Sequence, residues 1–222
     1  RADQLHNLAS AIVFDVHDAL AKLPGAVDAR KLLLTKAVEQ MEQLRKESDD
    51  PIVRFELASA FRRIGDSMGG PRRANLGDRA AAAKYYGEAR ELLDAALKSR
   101  PSWSEARVEL AGLLGAQGSL ESYSGERKKA AETYRQGIAV CDTLPLASLG
   151  IDAMGACAVL HTDLSDELRS TGQAAEALRH SEIAAKLVRD ASTAFAQNPT
   201  WRIERGAVLA SLAKSRNRVG DL

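Results

Sequence analysis

Aromatic residues are scarce: Phe, Trp and Tyr together make 5% of a 222-residue chain. A sheet protein draws on aromatic and β-branched side chains to fill its pleated, half-buried surface, so the shortage argues against one. Cysteine is scarcer still. Cys141 and Cys157 are the only two, which excludes a disulfide-framework protein and a zinc site of four thiolates. They flank the turn "TLPLASLG"; two small buried residues are the expected outcome there, and a disulfide the alternative. Excess charge of one sign is also missing. Lys and Arg total 31 against 30 Asp and Glu, a formal net charge of +1. No field of one sign therefore favours nucleic acid or an anionic membrane, and any charge preference must be a local patch. No apolar run approaches the roughly 18 residues of a membrane-spanning helix, and "AIVFDV" is cut by Asp15. The opening "RADQLHNLAS" lacks the basic-then-apolar order of a signal peptide. A start on Arg1 and a close at "RVGDL" suggest a segment of a longer chain.

What is present is helical periodicity. Leu5, Leu8, Ile12, Val16, Ala19 and Leu23 form one stripe, and Leu33, Ala37, Met41 and Leu44 the next. Punctuation is clear. Asp28 is a candidate cap; Asp50 with Pro51 and Asn198 with Pro199 place a capping side chain before a proline whose missing N–H costs nothing at a helix start. Ser102 with Glu105 has the spacing of a capping box. About nine helices are expected, at roughly 3–22, 28–48, 51–67, 78–99, 102–117, 126–142, 151–171, 174–196 and 200–219. No segment alternates long enough for a convincing strand, so the expected fold is all-α.

Four helices end alike: "ELASAFRRIGD", "ELAGLLGAQG", "DLSDELRSTG" and "LASLAKSRNRVGD". Before Gly65, Gly118, Gly172 and Gly220 stand the pairs Leu57–Ala58, Leu110–Ala111, Leu164–Ser165 and Leu212–Ala213. The leucine is expected to fill the core, the small residue to admit a neighbouring helix, and the glycine to form a left-handed cap. The helices that follow rhyme too, with Ala82, Tyr86 and Ala89, then Ala130, Tyr134 and Gly137, then Ala177, Ser181 and Ala184.

This pattern resembles the tetratricopeptide repeat, and "DLSDELRSTGQAAEALRHSEIAAKL" is its best copy. The resemblance covers roughly Pro51 to Leu222 and implies a right-handed solenoid of antiparallel helix pairs. The leucines lie 53, 54 and 48 residues apart, well above the ~34 of that family. It implies one helical-repeat domain over 1–222, with an N-terminal helix pair at 1–50, pairs at 51–101, 102–150 and 151–198, and a truncated final repeat at 199–222. "NLASAIVFDVHDALAKLPGAVDARKLLLTKAVEQMEQL" followed by "FRRIGDSMGGPRRANLGDRAAAAKYY" is similar to the repeat region C-terminal to the catalytic domain of certain bacterial serine/threonine protein kinases. Their kinase motifs are absent here. That second resemblance implies a non-catalytic module on the extracytoplasmic side of a membrane; without it, a cytoplasmic place is expected.

Few residues suggest chemistry. "GDSMGGPRRANLGD" has no Gly-Lys-Ser/Thr and carries Pro71, so a connector is favoured over a phosphate loop, with Arg72 and Arg73 as contacts for an anionic partner. Asp15, His17 and Asp18 lie close together, but only the two aspartates have a spacing that suits metal ligands on one helix face. Around His161, Asp163 and Asp166 no cysteine or serine sits where a nucleophile–base pair can be argued, and His6 and His180 have no partner in sequence. No catalytic residue, metal or cofactor is expected.

The tetratricopeptide resemblance implies a groove lined by first-helix residues: Phe55, Ser59, Arg62 and Arg63, then Thr162, Asp166 and Arg169, then Lys214, Asn217 and Arg218. The second repeat departs with Val108, Gly112 and Gly115. The basic balance of the rest implies a protein or peptide ligand that is acidic or ends in a carboxylate. The expected function is protein–protein interaction or sensing. Alternatives are a self-associating scaffold that covers Leu209 and Leu212 of the last helix, and an enzyme with a concealed helical site.

Overall fold

The computed structural model describes residues 27–72 and 74–220. The expected first helix at 3–22, and with it His6, Asp15, His17 and Asp18, lies outside the described residues, as do Arg73 and the side chain of Asp28. The described residues are all-helical, with no strand among them. They form two compact units that meet in sequence between Pro101 and Ser102.

The first unit holds α1 (Val27–Glu47), α2 (Pro51–Gly69) and α3 (Arg79–Ser99). Along α1, Leu34, Ala37 and Met41 are buried, so Leu34 rather than Leu33 occupies the deepest position of that stripe. Arg45 ties α1 to α3 by pairing with Glu88 and, at 3.1 Å, with Glu91. Asp50 caps α2 as expected, its Oδ1 accepting from the Ile52 N–H at 2.8 Å. Asp78 caps α3 by accepting from the Ala81 N–H at 2.9 Å. Phe61 and Ile64 of α2 and Leu93 of α3 are fully buried, and each such side chain removed from water contributes about 1.5–3 kcal/mol.

The second unit contains α4 (Ser104–Tyr123), α5 (Arg127–Cys141), the single turn α6 (Leu146–Leu149), α7 (Ile151–Ser170), α8 (Ala174–Asp190), the short α9 (Ser192–Gln197) and α10 (Pro199–Val219). The cap at Asn198 forms, accepting from the Trp201 N–H at 3.2 Å. The capping box at Ser102 does not: α4 starts two residues later, after Trp103, with no side-chain cap. The expected helix at 174–196 is broken at Ala191 into α8 and α9. Leu212 is buried with Val208 against Ala184 and Val188 of α8, whereas Leu209 is exposed. Of the two leucines that a self-associating scaffold would cover, Leu212 is thus already covered by α8.

Two of the four glycines proposed as caps are not caps. Gly65 and Gly118 lie inside α2 and α4, which run on to Gly69 and Tyr123. A Cβ at Gly65 would sit 2.5 Å from Tyr86 Cε1, and one at Gly118 would sit 2.5 Å from Tyr134 Cε1. Each glycine is small so that a buried tyrosine ring can lie directly on the helix. Gly172 and Gly220 do have the left-handed backbone of a cap, with φ of 84° and 78°. The small-residue pattern on the partner helices is buried as expected: Ala82, Ala89, Ala130, Ala177 and Ala184 have no exposed surface.

Where the third helix pair has Ser181 instead of tyrosine, three buried hydroxyls replace the ring. Ser165 Oγ lies 2.6 Å from Ser181 Oγ and 3.2 Å from Ser215 Oγ, and it donates to the Ala177 carbonyl at 2.8 Å. Serines on α7, α8 and α10 thus share one hydrogen-bonded knot, which satisfies polar groups that burial would otherwise penalise.

Candidate interaction surface

On α7, Thr162, Asp166 and Arg169 follow one another at intervals of four and three, which places them on one helix face. Thr162 is buried and donates to the Ala158 carbonyl of its own helix at 2.8 Å. Asp166 is the hub: its Oδ1 accepts from Arg169 Nη2 at 2.5 Å and from Ser211 Oγ of α10 at 2.8 Å. The guanidinium is therefore held by a carboxylate one turn away, with its Nε buried. The structure brings Asp166 and Arg169 together with α10, the helix on which Lys214, Asn217 and Arg218 are exposed. Ser211 was missed in the sequence, where it is one small residue among several in "VLASLAKS".

In the first unit, Phe55, Ser59 and Arg62 of α2 are half-buried and Arg63 is exposed. Arg62 Nη1 reaches Asp66 Oδ2 at 3.5 Å, and Asp66 Oδ1 accepts from the Tyr86 hydroxyl at 2.6 Å. Burial, followed by the negative charge of Asp66, holds that hydroxyl protonated far above the usual tyrosine range. Arg62 is thus part of a half-buried polar chain that ends on the buried Tyr86.

The loop between α2 and α3 folds back on the end of α2. The Leu76 N–H donates to the Ser67 carbonyl at 3.0 Å and the Asp78 N–H to the Met68 carbonyl at 2.8 Å. The Gly77 N–H is taken by Asn75 Oδ1 at 2.8 Å, and Asn75 Nδ2 donates to the Gly70 carbonyl at 2.9 Å. The N–H groups of Leu76, Gly77 and Asp78 are spent on closing the loop, as a connector requires and a phosphate cradle does not. Arg72 is exposed on it. Of the departing positions in α4, Gly112 has open space where a side chain would be, while Gly115 lies against Leu160.

Two pairings go beyond what the sequence favoured. Cys141 and Cys157 are bonded to each other as a disulfide between the end of α5 and α7, both buried. This corrects the expectation of two unpaired residues: the α6 turn returns the chain so that the two Cα atoms lie 5.9 Å apart. His180, expected to lack a partner, meets His161 of α7 with 2.9 Å between their Nδ1 atoms. Glu167 is a third long-range link. It is buried on α7 and accepts from Ser122 of α4 and from Arg127 of α5 at 3.4 Å.

The surface can offer forked cationic donors to a carboxylate or an acidic side chain. Among the described residues, no three His, Cys, Asp or Glu side chains gather as metal ligands. None of the described helices is long and apolar enough to cross a membrane. No protein-family model matches the chain, and no curated protein is significantly similar to it.

Proposed function

We propose that the chain is a non-catalytic protein-interaction or sensor module, a solenoid of antiparallel, tetratricopeptide-like helix pairs that binds an acidic peptide or a C-terminal carboxylate. The observation that carries this reading is the Asp166 hub, which fixes the Arg169 guanidinium against the helix that bears Lys214, Asn217 and Arg218. A donor already held in place loses little side-chain freedom when a partner arrives. Tyrosine-on-glycine packing at Gly65 and again at Gly118 supports the repeat reading, because the same local device serves two successive helix pairs. We place the module in the non-catalytic C-terminal region of a bacterial serine/threonine protein kinase. The disulfide favours the extracytoplasmic side, since such bonds persist in oxidising compartments.

Arg62 and Arg169 are tied into the fold by Asp66 and Asp166, so reversing their charge would test folding together with binding. Lys214→Glu with Arg218→Glu changes two exposed residues instead. Fluorescent peptides with an acidic C-terminal segment and a free carboxylate are expected to bind the wild type and to lose at least tenfold in affinity for the double variant. Equal binding by both, with unchanged helical circular dichroism, would refute the groove.

A second reading is self-association through α10, where Ile203 is 76% and Leu209 39% exposed. Light scattering decides it: a monomer at every concentration excludes it, and a dimer lost in Ile203→Ser with Leu209→Ser establishes it.

A further inference from the structure

We propose that His161 and His180 form an acid-labile latch between α7 and α8, which holds with its neutral rings or with one added proton and releases at the second. The geometry sets the rule. Two nitrogens of the same kind, the Nδ1 atoms, face each other at 2.9 Å, so one must carry the hydrogen and the other must accept it. A first added proton can be accommodated at Nε2 of the donor ring without touching this bond. His180 suits that role, because its Nε2 lies 3.9 Å from Glu176 Oε1 on the same helix. The second proton must go to the accepting ring, His161. It puts two N–H donors and two positive charges face to face, and the hydrogen bond is lost.

Among the described residues, burial and the charge of His180 both oppose a proton on His161. Its side chain is buried, with a fractional exposure of 6%, and the ring of His180 is tilted beside it at 5.1 Å between centroids. Burial is the largest influence on His180 and lowers its affinity for a proton; of the charges around it, Glu176 and Asp142 favour a proton, whereas Arg135 of α5 and Arg179 of α8 oppose it. Glu176 is itself paired with Arg135 at 3.3 Å. Burial, followed by the charge of His180, pushes His161 down to about 4. An unfolded histidine titrates at about 6.5, so the unfolded chain takes up this proton first as the pH falls. The contribution of the latch is full above about 6.5 and is lost progressively as the pH falls towards 4.

Two measurements on the 222-residue chain test the latch. Imidazole proton resonances followed by NMR are expected to show His161 still neutral at pH 5, and to show its titration move upward in His180→Gln. Titration of His161 near 6.5 in the wild type would overturn the proposal. Urea unfolding of the wild type and His161→Gln at pH 7, 6 and 5 is the second. The wild-type folding constant is expected to fall, relative to the variant, by up to about tenfold per pH unit below 6.5, the slope of one extra proton. Parallel pH dependence of the two chains would also overturn it, and if His161→Gln does not fold, the wild-type resonances decide alone.

Discussion

Two glycines of α4 should respond to alanine with opposite sign. Glycine inside a helix costs about 1 kcal/mol relative to alanine. At Gly112 an added Cβ meets nothing within 4 Å, so Gly112→Ala should recover that amount. At Gly118 the same methyl group would lie 2.5, 2.7 and 2.9 Å from three atoms of the Tyr134 ring. Carbon atoms rest at about 3.5–4.0 Å, so the ring must move by roughly 1 Å. It has little room to do so, because Tyr134 is only 3% exposed. Overpacking of this kind costs about 1–3 kcal/mol, and a rigid buried ring belongs at the upper end. After the helical gain is subtracted, Gly118→Ala should destabilise by about 2 kcal/mol, leaving roughly 3 kcal/mol between the two variants. Urea denaturation followed by tryptophan fluorescence is the assay, since Trp103 and Trp201 both belong to the second unit. Midpoints that shift in the same direction would refute the claim that Gly118 exists to seat the ring.

The Cys141–Cys157 bond should be a measurable staple. It spans 16 residues, and loop-closure entropy for a loop of this size gives about 3 kcal/mol; thermal melts with and without reductant, and of Cys141→Ser with Cys157→Ser, should show that loss, and unchanged melting would deny it. The serine knot should tolerate Ser181→Ala at about 1 kcal/mol for its lost hydrogen bonds. Ser181→Tyr, which restores the residue found at Tyr86 and Tyr134, should cost more than Ser181→Ala because the site is fully buried and already occupied by Ser165 and Ser215. Chemical denaturation ranks the two variants, and the reverse order would show that the third helix pair retains space for a ring.

Much of the helical layout was legible because its signals are local. Asp50 before Pro51 and Asn198 before Pro199 specify a helix start through their own side chains, and both caps formed. The buried alanines around Tyr86 and Tyr134 followed from spacing along one face. Gly65 and Gly118 were misread because a glycine in sequence does not reveal whether it serves its own backbone or a neighbour's ring. The ring against Gly118 comes from α5, on the far side of a turn. The disulfide and the histidine pair depend on the rotational phase of two helices across an intervening connection, which hydrophobic period alone does not fix. Of the candidate site, Asp166 and Arg169 were read as separate groove residues. Asp166 bonds both Arg169 and Ser211 of α10, and that second contact is tertiary.

The disulfide also changes what the connection between α5 and α7 has to do. Asp142, Thr143, Pro145, Ser148 and Gly150 are exposed along that turn, and exposed turns are where proteases cut. Cys141 and Cys157 stand on either side of it, so a chain nicked there remains one covalent molecule, with the flanking helices still joined to each other. The turn is thereby released from keeping the second unit in one piece, and its sequence can drift, lengthen or be cleaved at a cost the bond beside it absorbs.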